Sequence, residues 1–467
     1  NFVSDNHYDY TQSHTPATPI LSSVKTADSK GQYSLVSLQA CGYVAADMNG
    51  VVAETEVAPS ARWKAVSFKK NAPYTLSPDL TDDTVYIDEL INYLSTNLGR
   101  AGDGGVSAYA IDNEPYLWSQ THARMHPAKT TPEELLEKTI NLSTVIRELA
   151  PGADIVGPMF FGYTDAYKWG FENDVATWNT YKKYGPGTYD VYKWFVEYYL
   201  NNLHKSELET GIRPIDAIAF HWYPESYGAT THARIVNVTG DEETSSAEMV
   251  EPDMIEARLQ APRSLWDTKY TYKDAAGKNS YVCMWDGQAI IKKIQKSIDT
   301  FYPGTKIAFT EFEFGAEDHW SGGLSLVDVL GVFGKENVYL ACKWNTFKTY
   351  GALAYNLYLD YDGNGSKFGN TSVYAMSDTV SLSSFASLDN NKNLHIIVVN
   401  KTAVAQSTTF NIANGMYTNG VVYGFGQSSS TITELGTIDN IANSSFAYSI
   451  PAYTAIHIIL NAAPQTE

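Results

Sequence analysis

Two stretches of the chain place glutamates at or just past the end of an apolar run. The first is Ala108-Tyr109-Ala110-Ile111-Asp112-Asn113-Glu114-Pro115-Tyr116-Leu117-Trp118; the second is Ile307-Ala308-Phe309-Thr310-Glu311-Phe312-Glu313-Phe314-Gly315. Cleaving a glycosidic bond needs two carboxyl groups flanking it: an acid that protonates the leaving oxygen, and a nucleophile or a base. Glutamates at the ends of two strands of one barrel could supply that pair, because the C-terminal strand ends form the active face of such a fold. In Asn113-Glu114-Pro115, the proline lacks an N–H and pushes Glu114 toward an extended conformation, ending the strand. The Asn113 amide could bind a sugar hydroxyl beside the reacting carbon. Taken alone, this tripeptide is also an ordinary strand-to-loop turn; the second glutamate and the nearby aromatics turn the reading toward catalysis. Glu313 shares a face with Glu311 if the strand continues. It could be the nucleophile instead, or a neighbour that raises one carboxyl pKa by like-charge repulsion. Glu311 is favoured because it sits at the strand end.

Composition fits a neutral, sugar-like ligand. The 467 residues include 33 Tyr, 18 Phe and 10 Trp, and only 18% are charged. Pyranose rings stack their C–H faces on aromatics while their hydroxyls take hydrogen bonds. The net charge of −19 repels phosphate backbones, so nucleic acid is excluded as a partner. Aromatic candidates for sugar contact lie near the expected strand ends. In His221-Trp222-Tyr223-Pro224-Glu225, Tyr223 could hydrogen-bond the nucleophile and Trp222 could stack on sugar, although core packing explains Trp222 equally well. Trp344 closes a strand and could floor a subsite, and Trp118 and Trp320 fall on expected loops. His122 and His126 have the spacing of a helical metal pair, but Pro127 and the lack of a third nearby ligand favour a structural role. Cys41, Cys283 and Cys342 form neither a disulfide framework nor a zinc motif and read as buried thiols. No apolar run approaches the roughly 18 residues of a membrane span, so no membrane partner is expected. The opening Asn1-Phe2-Val3-Ser4-Asp5-Asn6 lacks the basic start of a signal peptide. That fits a cytosolic protein, a processed secreted one, or a trimmed chain.

The elements that must position these residues are legible as alternating strands and helices. Strands are expected over Ser34 to Ala40, Ser107 to Asp112, Asp154 to Met159, Asp216 to Tyr223, Lys306 to Phe312 and Asn337 to Trp344. Helices are expected over Thr84 to Leu98, Thr131 to Leu149, Tyr189 to His204, Gly287 to Tyr302 and Thr346 to Asp360. Such alternation gives parallel strands with helices outside. Six strands are two short of an eight-stranded barrel. Either the sheet is open or two strand–helix units lie upstream of residue 1. After about Asn370, seven short β-type runs separated by Asn, Gly and Ser clusters signal a small β-sandwich. The expected division is residues 1–370 for the barrel and 371–467 for the sandwich.

With these residues in view, the chain resembles glycoside hydrolase family 44. The segment Asp112 to His122 with Met125-His126-Pro127 is similar to that family's acid/base segment. Thr310-Glu311-Phe312, Ser321-Gly322-Gly323 and Val327 to Gly334 resemble its nucleophile segment, and Gly42 to Asp47, Ala58 to Trp63 and Tyr361 to Gly369 also match. The resemblance implies a TIM-like (β/α)8 barrel with a C-terminal β-sandwich. The barrel would lack its first two strands in this chain, Ser34 to Ala40 being strand three. It also implies a secreted, retaining endo-β-1,4-glucanase, often with xyloglucanase activity. Glu114 is then the acid/base and Glu311 the nucleophile; Glu313 departs from a position that is usually polar and uncharged. No cofactor is expected for catalysis. A structural calcium is implied beside the barrel, with Glu54, Glu56, Asp79 and Asp82 as local candidates, though a solvated acidic loop explains them nearly as well. An EF-hand at Asp360-Tyr361-Asp362-Gly363-Asn364-Gly365 is rejected, because position twelve is Thr371. The expected partner is a β-glucan polysaccharide, bound by a monomer that could carry appended binding or anchoring modules. Rival readings are a retaining mannanase or xylanase, and a non-catalytic carbohydrate-binding protein.

Overall fold

The computed structural model describes residues 17–47, 50–169, 175–181, 191–236, 250–273, 276–280, 284–285 and 288–464. Cys283 lies outside these residues, whereas Cys41 is buried and Cys342 half-buried. The chain divides into two compact units, residues 1–222 with 294–311, and residues 223–293 with 312–467.

The first unit is built on parallel strands β1 (Leu35–Leu38), β2 (Ala108–Ile111), β3 (Asp154–Phe160), β4 (Ala217–Trp222) and β5 (Lys306–Phe312). Their order in the sheet is β1-β2-β3-β4-β5, and β6 (Leu340–Lys343) belongs to the second unit. The first three pairings are parallel. Spatial order that follows chain order is the arrangement of a TIM-like barrel, and helices intervene between the strands as the pattern demands. They are α1 (Thr18–Ser29), ahead of β1, then α2 (Ile87–Leu98), α3 (Pro132–Leu149), α4 (Phe195–Thr210) and α5 (Ile290–Phe301). Every residue of β2 and β4 is buried, as both faces of an internal parallel strand should be. Helix α3 begins as the sequence indicates: Pro132 stands in its first turn, and the Thr131 hydroxyl accepts from the Glu134 N–H at 3.1 Å.

The strand starts are pinned by ion pairs. Asp216 Oδ2 accepts from Arg147 Nη2 at 2.7 Å and from the Ile155 N–H at 2.6 Å. Asp154 Oδ2 accepts from the Tyr33 hydroxyl at 2.7 Å and faces Lys306 Nζ at 3.6 Å. One small sheet escapes the sequence pattern. It joins Tyr43–Ala45, Trp63–Ser67 and Thr84–Tyr86, so α2 starts at Ile87 rather than Thr84. Strands of three to five residues are too short to show a period.

In the second unit, strands β7 (Thr371–Val373), β8 (Leu382–Leu388), β9 (Leu394–Asn400), β10 (Gln406–Asn411), β11 (Tyr417–Gly426), β12 (Ser429–Ile438), β13 (Ser445–Ile450) and β14 (Thr454–Ala462) form a sandwich. One antiparallel sheet has the order β7-β8-β9-β14-β11-β12, and β10 pairs with β13. Ile396, Val398, Val422, Phe446, Ile450, Ile456 and Ile458 form its core. Strand β9 is buried along its whole length, because α6 (Trp320–Lys335) packs against the same sheet. On that side a buried pair, His395 Nδ1 to His457 Nε2 at 2.9 Å, continues to the Leu357 carbonyl in α7 (Thr349–Leu359).

Candidate active site

Glu114 follows β2 by three residues, and Glu311 lies within β5, one residue before its end. The chain between Asp112 and Glu114 does not run extended. Asp112 has φ +51° and Glu114 φ +43°, both left-handed. A residue before proline ordinarily adopts the β region, and a non-glycine residue at positive φ is strained unless its surroundings impose it. Here they do. Asp112 Oδ2 accepts from the Ala40 and Cys41 N–H groups at 2.5 and 2.6 Å, and its Oδ1 from the Asn113 N–H at 2.7 Å. Desolvation pushes the Asp112 carboxyl up despite these three donors. On the far side of the same peptides, Lys138 Nζ donates to the Ala40 carbonyl at 2.7 Å. The Trp118 indole donates to the Asn113 carbonyl at 2.9 Å. The bend that ends β2 thus aims Glu114 away from the strand axis and is held on both sides.

Glu114 and Glu311 meet at a residue to which the sequence reading gave no role. His221, in β4 and fully buried, places Nδ1 2.7 Å from Glu114 Oε1 and 3.3 Å from Glu311 Oε2. Nδ1 can donate to an ionised Glu114 or accept from a protonated one, and Glu311 stands as the second, longer contact. The three ligating atoms lie within 4.8 Å of one another. Glu114 keeps about a quarter of its side chain exposed and Glu311 a tenth. One group is open to a ligand and the other sits at the floor. A fourth acid, Asp165, is buried beneath them, its carboxylate taking the Phe161, Gly162 and Ala166 N–H groups. Burial, and then the charge of Glu114, push it well above the usual carboxylate range. The one hint in the sequence is a histidine near the end of an apolar strand, which by itself does not set His221 apart from a core residue.

The aromatic candidates separate. Trp118 and Trp320 are not on loops, as expected from sequence; each opens a helix. Trp118 is 1% exposed, with Lys138 Nζ 4.9 Å from its ring centroid and His126 beside it, so it supports the Asn113 peptide from below. Trp320 packs on His319 and Tyr453. Trp222 is also buried. Large rings at strand ends fill the core here, which is their commoner fate. Tyr223 and Trp344 are half-buried. Asn113 is half-buried beside Glu114, and Tyr116 stacks on Phe161 at 5.6 Å. Glu313 lies past the end of β5, where its carboxylate accepts from the Asn345 amide at 3.0 Å.

The acids proposed for calcium are not gathered. Asp79 accepts from its own neighbour Thr81, Asp82 faces Lys64 at 3.9 Å, Glu56 pairs with Arg62 at 3.3 Å, and Glu54 is exposed. Cations interleaved with these carboxylates neutralise them locally, so the set does not fit a calcium cage. Among the described residues, the one cluster of three His, Cys, Asp or Glu groups close enough to share an ion is Glu114, His221 and Glu311. His126 instead pairs with Glu134, Nε2 to Oε1 at 2.8 Å.

Comparison with known proteins gives a consistent answer. The family model described as glycoside hydrolase family 44 matches residues 4–226. The chain is 40% identical over 438 residues to the beta-mannanase/endoglucanase A of Caldicellulosiruptor saccharolyticus, covering 91% of this chain and 31% of that protein. It is 41% identical over 442 residues to endoglucanase A of Paenibacillus lautus, covering 92% and 59%. The chain therefore spans about a third and about three-fifths of the length of these curated relatives. The solved structure of a Paenibacillus polymyxa xyloglucanase from glycoside hydrolase family 44 is 39% identical. It superposes with a TM-score of 0.85, covering 96% of this chain and 84% of that one.

Proposed function

The chain belongs to glycoside hydrolase family 44, and from that premise we propose that it is a retaining, endo-acting hydrolase of β-1,4-glucans, xyloglucan included. One observation carries the reading: two carboxylates meet at one buried imidazole, with ligating oxygens within 4.8 Å of each other. Retention calls for carboxyl groups about 5–5.5 Å apart, whereas inversion needs roughly 6.5–9.5 Å to admit a water between acid and base. The observed spacing supports retention. In this reading, residues 1–370 carry catalysis and residues 371–467 the sandwich.

Glu114, the more exposed group, protonates the glycosidic oxygen. Glu311, seated on the rigid end of β5, attacks the anomeric carbon and forms a glycosyl-enzyme. The deprotonated Glu114 then takes a proton from water, and that water releases the sugar with Glu311 as leaving group. His221 Nδ1 faces both groups, 2.7 Å from Glu114 Oε1 and 3.3 Å from Glu311 Oε2, and so can hydrogen-bond either one as charge passes between them. Because a polymeric substrate does not cross a membrane, this reading has the enzyme work outside the cell.

Proton NMR of freshly released product tests the scheme. The β-anomer should appear first; an initial α-anomer would overturn retention. Carboxymethylcellulose, xyloglucan, xylan and mannan, assayed side by side, test the substrate class, and strict preference for mannan or xylan would overturn the glucan assignment. Glu114→Gln should lose roughly two to four orders of magnitude in turnover while oligosaccharide binding survives. Undiminished turnover would remove Glu114 from the mechanism.

A further inference from the structure

The pair of glutamates has a property that hydrolysis does not require. We infer that Glu114, His221 and Glu311 together form a binding site for a divalent transition-metal cation of the zinc class, and that the bound ion inhibits the enzyme. The binding half stands on geometry alone; the inhibitory half rests on the proposed function.

The donor set is one imidazole nitrogen and two carboxylate oxygens. Three protein ligands with a fourth position open is the arrangement zinc adopts at accessible sites, with Zn–N near 2.0–2.1 Å and Zn–O near 2.0–2.2 Å. Those lengths put neighbouring donors of a tetrahedral site about 3.4 Å apart. His221 Nδ1 and Glu311 Oε2 are already 3.3 Å apart, and the 2.7 Å contact to Glu114 is the length of the hydrogen bond that an ion would replace, the neutral ring then carrying its proton on Nε2 and any proton on Glu114 passing to solvent. The remaining edge, within 4.8 Å, closes by a turn of the partly exposed Glu114 side chain. His221 is fully buried and fixed in β4, so the nitrogen ligand is preorganised. Calcium and magnesium are poor occupants, because they take six to eight oxygens and favour no nitrogen. The order of affinity among dications should therefore run copper above zinc, with cobalt and manganese weaker. A bound ion occupies the space the anomeric carbon must enter and holds both carboxylates deprotonated, so neither attack nor protonation can proceed.

Isothermal titration of the intact chain with zinc chloride, without substrate, tests the site. One ion per chain should bind, calcium chloride should give no heat at this site, and Glu114→Gln and Glu311→Gln should each weaken zinc binding by tenfold or more. Cobalt should bind with the visible spectrum of a four-coordinate ion, and Glu311→Gln should abolish that spectrum. Wild-type hydrolysis of xyloglucan should fall along the same zinc titration and return on adding EDTA. Zinc affinity unchanged in the Glu114→Gln, Glu311→Gln double variant would place the ion elsewhere and overturn the inference. So would the absence of zinc binding in an enzyme that hydrolyses glucan. That second outcome leaves the proposed function standing, whereas zinc binding to a chain inactive on every glycan would remove the function and keep the site.

Discussion

Carboxylates stand at both ends of the parallel strands in the first unit, and their partners differ. At the starts, Asp216 is held by Arg147 and Asp154 by Lys306 and Tyr33. At the ends, Glu114 and Glu311 share an imidazole, while Asp112 and Asp165 accept backbone N–H groups. A fixed guanidinium keeps a carboxylate ionised. A general acid must give up a proton and take it back within one cycle, and a permanent cation would oppose the second step. On the proposed function, one end is arranged for stability and the other for proton traffic. The second is braced without a fixed cation bonded to either glutamate: Asp112 and Trp118 hold the left-handed turn at Glu114 through backbone N–H and C=O groups.

Substitutions at the two ends should separate these roles, with the largest effect at Glu311, the proposed nucleophile. Glu311→Gln should lower kcat by roughly four or more orders of magnitude, since removing a nucleophile costs far more than removing a hydrogen bond. Its unfolding midpoint should be equal to or above that of the wild type, because one of two close carboxylates becomes neutral. Steady-state kinetics and thermal melts measure both, and a marked loss of stability with modest loss of kcat would reverse the comparison. Asp112→Asn should lower kcat by roughly ten- to hundredfold with little change in KM, because the amide cannot accept from Ala40, Cys41 and Asn113 as the carboxylate does, and Glu114 loses its alignment. A change confined to KM would show that Asp112 shapes binding instead. At the strand starts, Asp216→Asn should leave kcat unaltered and cost about 2 kcal/mol of stability, the worth of a charged hydrogen bond that also anchors the Ile155 N–H. Chemical denaturation measures it, and any tenfold fall in kcat would break the division of labour.

Much of this was readable from residue order, and the exceptions share a cause. Lys306–Phe312 forms a strand over the span its apolar run marks, and the helix expected over Thr131 to Leu149 runs from Pro132 to Leu149 with Thr131 as its cap. Glu114 and Glu311 are strand-end residues, visible as polar breaks in apolar runs, and they do meet. What stayed hidden depends on the third dimension. His221 looks like any residue of a buried strand until the sheet brings β4 beside β5 and its imidazole under both glutamates. The loop-like segments at Trp118 and Trp320 hide two helix starts, because a single tryptophan carries no periodic signal of its own. The left-handed Glu114 contradicts the preference of a residue before proline, since that preference is worth less than the Asp112 and Trp118 bonds that impose the turn.

The smallest expected effect lies at the edge of the active end, where an ion pair does occur. Glu134 faces His126 at 2.8 Å and Lys138 at 3.0 Å, and the His126 ring lies against Trp118. Against its own desolvation, hydrogen bonds from His126 and Lys138 bring the Glu134 carboxyl down to about 2. The hydrogen bond to Glu134 in turn raises His126 above its ordinary 6.5. The two shifts have opposite consequences with pH. A lowered carboxylate pKa gives stability that is complete above about 4.5 and fades as pH falls toward 2; a raised histidine pKa gives stability that is complete below about 6.5 and fades as pH rises beyond it. Both terms are present together only between about pH 4.5 and 6.5, and above that window Lys138 alone remains to hold Glu134. The groups are partly exposed, so the pair should contribute about 1 kcal/mol or less. Glu134→Gln should thus destabilise the chain most near pH 5.5, less at pH 8 and least at pH 3, when unfolding is followed by denaturant titration at the three values. A difference that is flat across them would mean that packing on Trp118, and not charge, is what His126 and Glu134 supply to the wall behind the acid/base turn.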